Sequence, residues 1–185
     1  MTIISTIPRE QATDKVAEIY AEIEQTLGYL PQAFQTYSAS PLLLELTWRK
    51  LAYFMDHPNL SMEFLATIRM LVSVDNICDY CIGFNTSLLI NMFNWSHEQI
   101  IATRRDPNDA PLNNKEKVLL SFVLQAASQP LKITGQDLQK IRDAGWEDSD
   151  IVDAVSHATD NVSTDLFLNT FKPENDFMVH ELHEE

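Results

Sequence analysis

The chain has 185 residues, 45% of them apolar, and a formal net charge of −14 from 27 acidic against 13 basic side chains. This is long enough for one substantial core and short enough for one domain, and so acidic a surface lacks the basic patch that nucleic acid or anionic lipid needs. Four glycines leave no room for a phosphate-cradling loop, and no apolar run approaches the ~18 residues of a membrane span.

The opening MTIISTIPREQA has no basic stretch followed by an apolar block, so a soluble, cytoplasmic chain is expected. Val16, Ile19, Tyr20, Ile23 and Leu27 mark one face of a first helix from Thr13 to Leu27, stopped by Gly28. Pro31 opens a short helix through Tyr37, and Ser40 with Pro41 supplies an N-cap and a first-turn proline for a longer one to Met55. Asp56-His57-Pro58-Asn59 breaks that helix. Ser61 then caps a fourth, with Phe64, Leu65, Ile68, Leu71 and Val72 inside and Asp75-Asn76 at its end.

The next helix begins near Cys78 and runs to Phe93, with Cys81, Phe84, Leu88 and Met92 at helical spacing and both cysteines in its first turn. Ser96 and Gln99 fit a capping box, with Trp95 and Ile100 as its hydrophobic staple, for a short helix ending by Arg105. After the loop DPNDAPLNN, Asn113 or Asn114 caps a helix through Ala127, and another spans Thr134 to Ala144, closed by Gly145. Asp148 caps the last, in which Ile151, Val152, Val155, Val162, Leu166 and Phe167 form the inward stripe until Lys172-Pro173. Nothing alternates like a strand. Seven to nine helices with short connections define an all-α chain, one domain over residues 1–185. Residues 173–185 read as an acidic arm whose Phe177, Met178 and Val179 can dock on a neighbouring subunit.

Cys78 and Cys81 are the only cysteines. In a reducing compartment such a pair points to redox or metal chemistry. Zinc asks for about four N or S ligands, yet no second pair exists, His57, His97 and His157 are dispersed, and His180 and His183 lie in the acidic tail. Haem attachment needs histidine where Ile82 stands. No metal and no cofactor is therefore expected. Two cysteines at a helix start can close a disulfide, and the free N–H groups of the first turn favour a thiolate. Attack on a peroxide would give a sulfenic acid, which the second thiol resolves. On this reading Cys81 lies deeper and Cys78 is the more exposed. The alternative is a buried core thiol with a chance neighbour.

The surroundings of the pair add a family resemblance. The run LSMEFLATIRMLVSVDNICDYCIGFN resembles the signature of the carboxymuconolactone decarboxylase-like and alkyl hydroperoxidase D-like superfamily, in which a helix with an acidic residue and an arginine precedes CxxC. Upstream, LGYLPQAFQTYSASPLLLELTWRKLAYF and, downstream, the helices around Arg142 to Gly145 resemble the same family, so the likeness covers residues 25–175. It implies a thiol peroxidase or related dithiol-disulfide oxidoreductase assembled as a homo-oligomer, acting on a small peroxide or disulfide with a thiol electron donor. It also implies Cys81 as the attacking and Cys78 as the resolving cysteine, with Glu63 in the proton relay. Fourteen residues separate Glu63 from Cys78, more than is usual, which implies an extended loop between them.

Two positions depart from the pattern. Family peroxidases carry histidine after the first cysteine and four residues beyond the second, where this chain has Asp79 and Asn85. Neither does imidazole's work near neutral pH, although Asn85 can hydrogen-bond a thiolate one turn away. Asp79, Asn85, Arg69 and Tyr80 are the auxiliary candidates. A decarboxylase acting on a small lactone acid, and a non-enzymatic redox-sensing or stress protein, stand as alternatives on the same fold.

Overall fold

The helix signals are met by nine α-helices and three single-turn 3-10 segments, without a strand, in a computed structural model that describes residues 2–176. The chain divides into two compact units, residues 2–57 with 167–176 and residues 58–166. Among the described residues no helix is long and apolar enough to cross a membrane.

In the first unit α1 (Asp14–Leu27), α2 (Gln32–Tyr37) and α3 (Pro41–Met55) share one core. Val16, Ile19, Tyr20 and Ile23 of α1 meet Phe34 and Tyr37 of α2 and Leu44 and Trp48 of α3. The polar edges of two of the core's rings are satisfied, Tyr20 Oη donating to the Ile7 carbonyl and Trp48 Nε1 to Glu22. Gly28, at φ 83, stops α1 as its position predicts. Ser40 does precede α3, but its side chain makes no capping bond.

The second unit holds α4 (Met62–Asp75), α5 (Asp79–Phe93), α6 (His97–Arg105), α7 (Asn114–Ser128), α8 (Gly135–Asp143) and most of α9 (Asp148–Phe171). Helix α4 is its axis. Every residue from Phe64 to Ser73 is buried, and α4 packs most extensively against α5. The caps on Ser61, Ser96, Asn113 and Thr134 all form, the last three as full capping boxes. Asp148 does not cap α9: it lies inside the helix, paired with Arg142, while Asp150 accepts the Glu147 N–H.

Three further expectations are corrected. The extended loop before the cysteines is absent, because α4 continues to Asp75 and only Asn76, Ile77 and Cys78 precede α5. Helix α5 is rotated: it buries Cys81, Asn85 and Leu89, and leaves Met92 63% exposed. Helix α9 is rotated the same way. It buries Ile151, Ala154, His157, Ala158, Asn161 and Asp165, while Val152 and Leu166 stand in solvent. In both helices a polar stripe takes the interior. The acidic arm is described only to Asp176; Phe177, Met178, Val179, His180 and His183 lie outside the described residues.

A buried dithiol and carboxylate

The end of α4 builds the site. Ile77 N–H bonds to the Val74 carbonyl and Cys78 N–H to the Ser73 carbonyl, the paired bonds of a Schellman turn. Such a turn needs one left-handed residue, usually glycine, and here it is Ile77 at φ 54. A β-branched residue in that conformation is strained by roughly 1–3 kcal/mol. The turn delivers Cys78 to the N-cap of α5 and Cys81 to its first turn.

Both thiols are buried. Cys78 is 0% and Cys81 5% exposed, so the expected order is reversed and Cys78 is the more enclosed of the two. The sulfurs and one carboxylate oxygen of Asp165, from α9, all lie within 4.8 Å of one another. Asp165 is itself 0% exposed. Its Oδ1 accepts from Ser73 Oγ at 2.9 Å, and its Oδ2 from Asn76 Nδ2 at 3.0 Å and Asn161 Nδ2 at 3.1 Å. The carboxylate thus clasps both ends of the turn that carries Ile77.

A second layer lies one turn back along the helices. Arg69 is buried in α4, Nε donating to Asn85 Oδ1 at 2.7 Å and Nη1 lying 3.0 Å from His157 Nε2. Because guanidinium only donates, that imidazole nitrogen is the acceptor and carries no proton. Asn85 in turn donates to the Cys81 carbonyl at 2.8 Å. Asn161 ties the layers together through the Arg69 carbonyl and Ser73 Oγ. Among the described residues no carboxylate pairs with Arg69, so it is a buried cation held by Asn85 and His157, within the electrostatic reach of Cys81.

The electrostatics follow from burial. The Cys81 thiol is pushed well up, first by its hydrogen bonding with Cys78, then by burial and by the Asp165 charge. The helix-start argument for a ready thiolate therefore loses here to the neighbouring thiol and to desolvation. Burial also raises the Asp165 carboxyl, opposed by the Cys81 thiol, Asn76 and Ser73. Arg69 is lowered by burial to about 10, with the charge of Cys81 acting in the opposite direction, and it remains a cation at neutral pH.

The remaining sequence candidates stand elsewhere. Glu63 is half-buried in the first turn of α4 and accepts from Trp95 Nε1 at 2.5 Å. It lies ten residues before Ser73, hence roughly 15 Å along the helix axis from the level of the cysteines. The structure does not bring it to the thiols. Asp79 is exposed at the first position of α5, a favourable charge at a helix start. Tyr80 is buried beside the pair in sequence.

Sequence reasoning missed Asp165, Ser73, Asn161 and His157. Their signal was a polar repeat at i, i+4 and i+8, His157-Asn161-Asp165, matched by Arg69-Ser73 on α4. Asp165 is also the third metal donor that the sequence lacked. With Cys78 and Cys81 it makes three, one short of a closed tetrahedral set, and its oxygens already accept three hydrogen bonds. We assign no ion to them.

No family model and no curated protein matches the sequence. Solved structures do. An uncharacterized peroxidase-related protein from Silicibacter sp. TM1040 superposes with a TM-score of 0.81 at 19% identity, covering 94% of this chain and 91% of that one. The alkylhydroperoxidase AhpD core of a peroxidase-related protein from Ralstonia eutropha JMP134 gives 0.75 at 17%, over 94% of both chains. A cysteine-to-alanine variant of the debrominase Bmp8, in complex with 2,3,4-tribromopyrrole, gives 0.76 at 14%, over 95% of this chain and 92% of that one. The fold is therefore the all-helical AhpD-core fold, the one that the sequence resemblance implies. It is a fold carried by peroxidase-related proteins and by a debrominase.

Proposed function

We propose that the chain is a thiol-dependent peroxidase or dithiol-disulfide oxidoreductase, whose working group is the Cys78–Cys81 pair. One observation carries the reading: the two sulfurs, both at the start of α5, share a buried cluster no wider than 4.8 Å, from which they can close a disulfide with little movement of the backbone. Cys81, the less enclosed thiol, attacks the terminal oxygen of a small peroxide and Cys78 resolves the sulfenic acid. A thiol donor then restores the pair.

A reducing compartment such as the cytoplasm is what this cycle needs, and a homo-oligomer belongs to the same reading. Leu42, Leu46 and Tyr53, each more than half exposed along α3, support it as apolar surface that a subunit contact would cover. A second reading takes the electrophile to be a halogenated ring, because the fold neighbour bound to 2,3,4-tribromopyrrole is a debrominase.

Turnover with a dithiol donor tests the pair and the electrophile together. Cys81→Ser should abolish consumption of hydrogen peroxide and of a small alkyl hydroperoxide, and Cys78→Ser should stop the cycle after one attack. A Cys81→Ser protein as fast as wild type removes the peroxidase reading. Wild type that debrominates a bromopyrrole but leaves peroxide untouched replaces it with the second.

A further inference from the structure

Among the described residues, none of the bases expected from the sequence reaches the dithiol. Imidazole is missing at Asp79 and Asn85, Glu63 is bound to Trp95 far along α4, and His157 has its Nε2 turned to Arg69. Yet the Cys81 thiol is held protonated by its surroundings, so a reaction near neutral pH requires a group that takes that proton at the moment of attack.

We propose that Asp165 is the proton acceptor of the Cys78–Cys81 pair, supplied by the last helix of the fold in place of a histidine within the cysteine motif. This rests on the dithiol reading above. Asp165 is the carboxylate inside the cluster, within 4.8 Å of both sulfurs. The titratable and charged groups facing it are Cys78 and Cys81 from α5, with Arg69 of α4 joined to it through Asn161 and His157 two turns away on its own helix. Ser73, Asn76 and Asn161 fix its oxygens in place, and burial biases it toward holding a proton. Moving the Cys81 proton to Asp165 leaves a thiolate whose charge is favoured by Arg69, a buried cation with no carboxylate partner among the described residues. The net charge of the cluster is unchanged.

The chemistry balances. The Cys81 proton passes to Asp165, the sulfur forms a bond to the terminal peroxide oxygen as the O–O bond breaks, and the departing alkoxide takes the proton back from Asp165 to leave as alcohol. Cys78 then gives its proton to Asp165, its sulfur bonds to the Cys81 sulfur as the S–O bond breaks, and hydroxide leaves with that proton as water. The peroxide gains two electrons and the dithiol loses two.

The test is the pH–rate profile of disulfide formation when reduced protein meets stoichiometric hydrogen peroxide. Wild type should gain rate as the Asp165 carboxyl loses its proton, at a pH above the ordinary carboxylate range, and then stay level. Asp165→Asn keeps the shape and should react on the order of 10²-fold more slowly at pH 7, with a rate that climbs about ten-fold per pH unit toward the thiol's own titration. Removing a neighbouring negative charge alone would make Cys81 a better thiolate, so an Asn variant as fast as wild type, or faster, overturns the proposal. Should that variant not fold, the wild-type profile decides: a rate that only tracks thiolate formation overturns it too. If wild type forms no disulfide at any pH, the dithiol reading itself has failed, which is a different outcome from a disulfide whose rate ignores Asp165.

Discussion

Helices α4 and α8 end in the same turn with opposite residues in it. At Ile141–Trp146 the turn is built by Gly145, at φ 88, with Gly145 N–H bonded to Arg142 and Trp146 N–H to Ile141. At Ser73–Cys78 the same two bonds form around Ile77, at φ 54. The first follows the local rule, and what it delivers is packing: Trp146 lies against Phe64 and beneath the Lys115 ammonium. The second breaks the rule and delivers a thiol to a buried carboxylate. Its strain is held because Ser73 and Asn76, on either side of Val74 and Asp75, both donate to Asp165. A local rule violated beside two thiols and a buried carboxylate fits a functional site, since strain persists only where its surroundings over-determine it.

The largest effect should come from removing what holds the second turn's surroundings. Arg69→Met strands Asn85 Oδ1 and a His157 nitrogen in the interior, and at roughly 1–3 kcal/mol for each unsatisfied group the protein should lose about 3 kcal/mol in urea unfolding. A loss under 1 kcal/mol would mean that the polar seam is not organised around that cation. Exchanging the two turn residues makes a smaller and more direct comparison. In Gly145→Ile the new Cβ has only the flexible Lys115 side chain near it, at 3.9 Å, so the change should cost mainly the conformational penalty of about 1–2 kcal/mol. Ile77→Gly should gain about 1 kcal/mol, because Ile77 is 76% exposed and gives up little burial. A loss on Ile77→Gly would show that the side chain is held by something other than its backbone.

The helices themselves were legible because caps and breakers are local: Ser96 with Gln99, Asn113 with Glu116 and Gly145 act within one turn of the chain. The inward faces were legible only where they are apolar, as with Val16, Ile19, Tyr20 and Ile23. Hydrophobic periodicity turns a helix so that its apolar residues point inside. On α5 and α9 that rule pointed Met92, Val152 and Leu166 inward, whereas the protein buries Asn85, His157, Asn161 and Asp165. Those polar groups are affordable inside only because they satisfy one another across three helices, a condition invisible in any one segment. The cysteines could be found from their spacing, and the carboxylate that completes their cluster could not. It lies 84 residues beyond Cys81, and the polar repeat it belongs to, His157-Asn161-Asp165, marks a helix face without saying which helix that face meets.

The central claim, that Cys78 and Cys81 are a working redox pair, is tested most directly by mass. Reduced wild-type protein is mixed with one equivalent of hydrogen peroxide at pH 7, quenched with an alkylating agent and digested with trypsin, which releases both cysteines in the single peptide 70–104. The account predicts that this peptide is unalkylated and lighter by two hydrogens, and that a dithiol restores both alkylation sites. A peptide still alkylated at Cys78 and Cys81 after excess peroxide would contradict it.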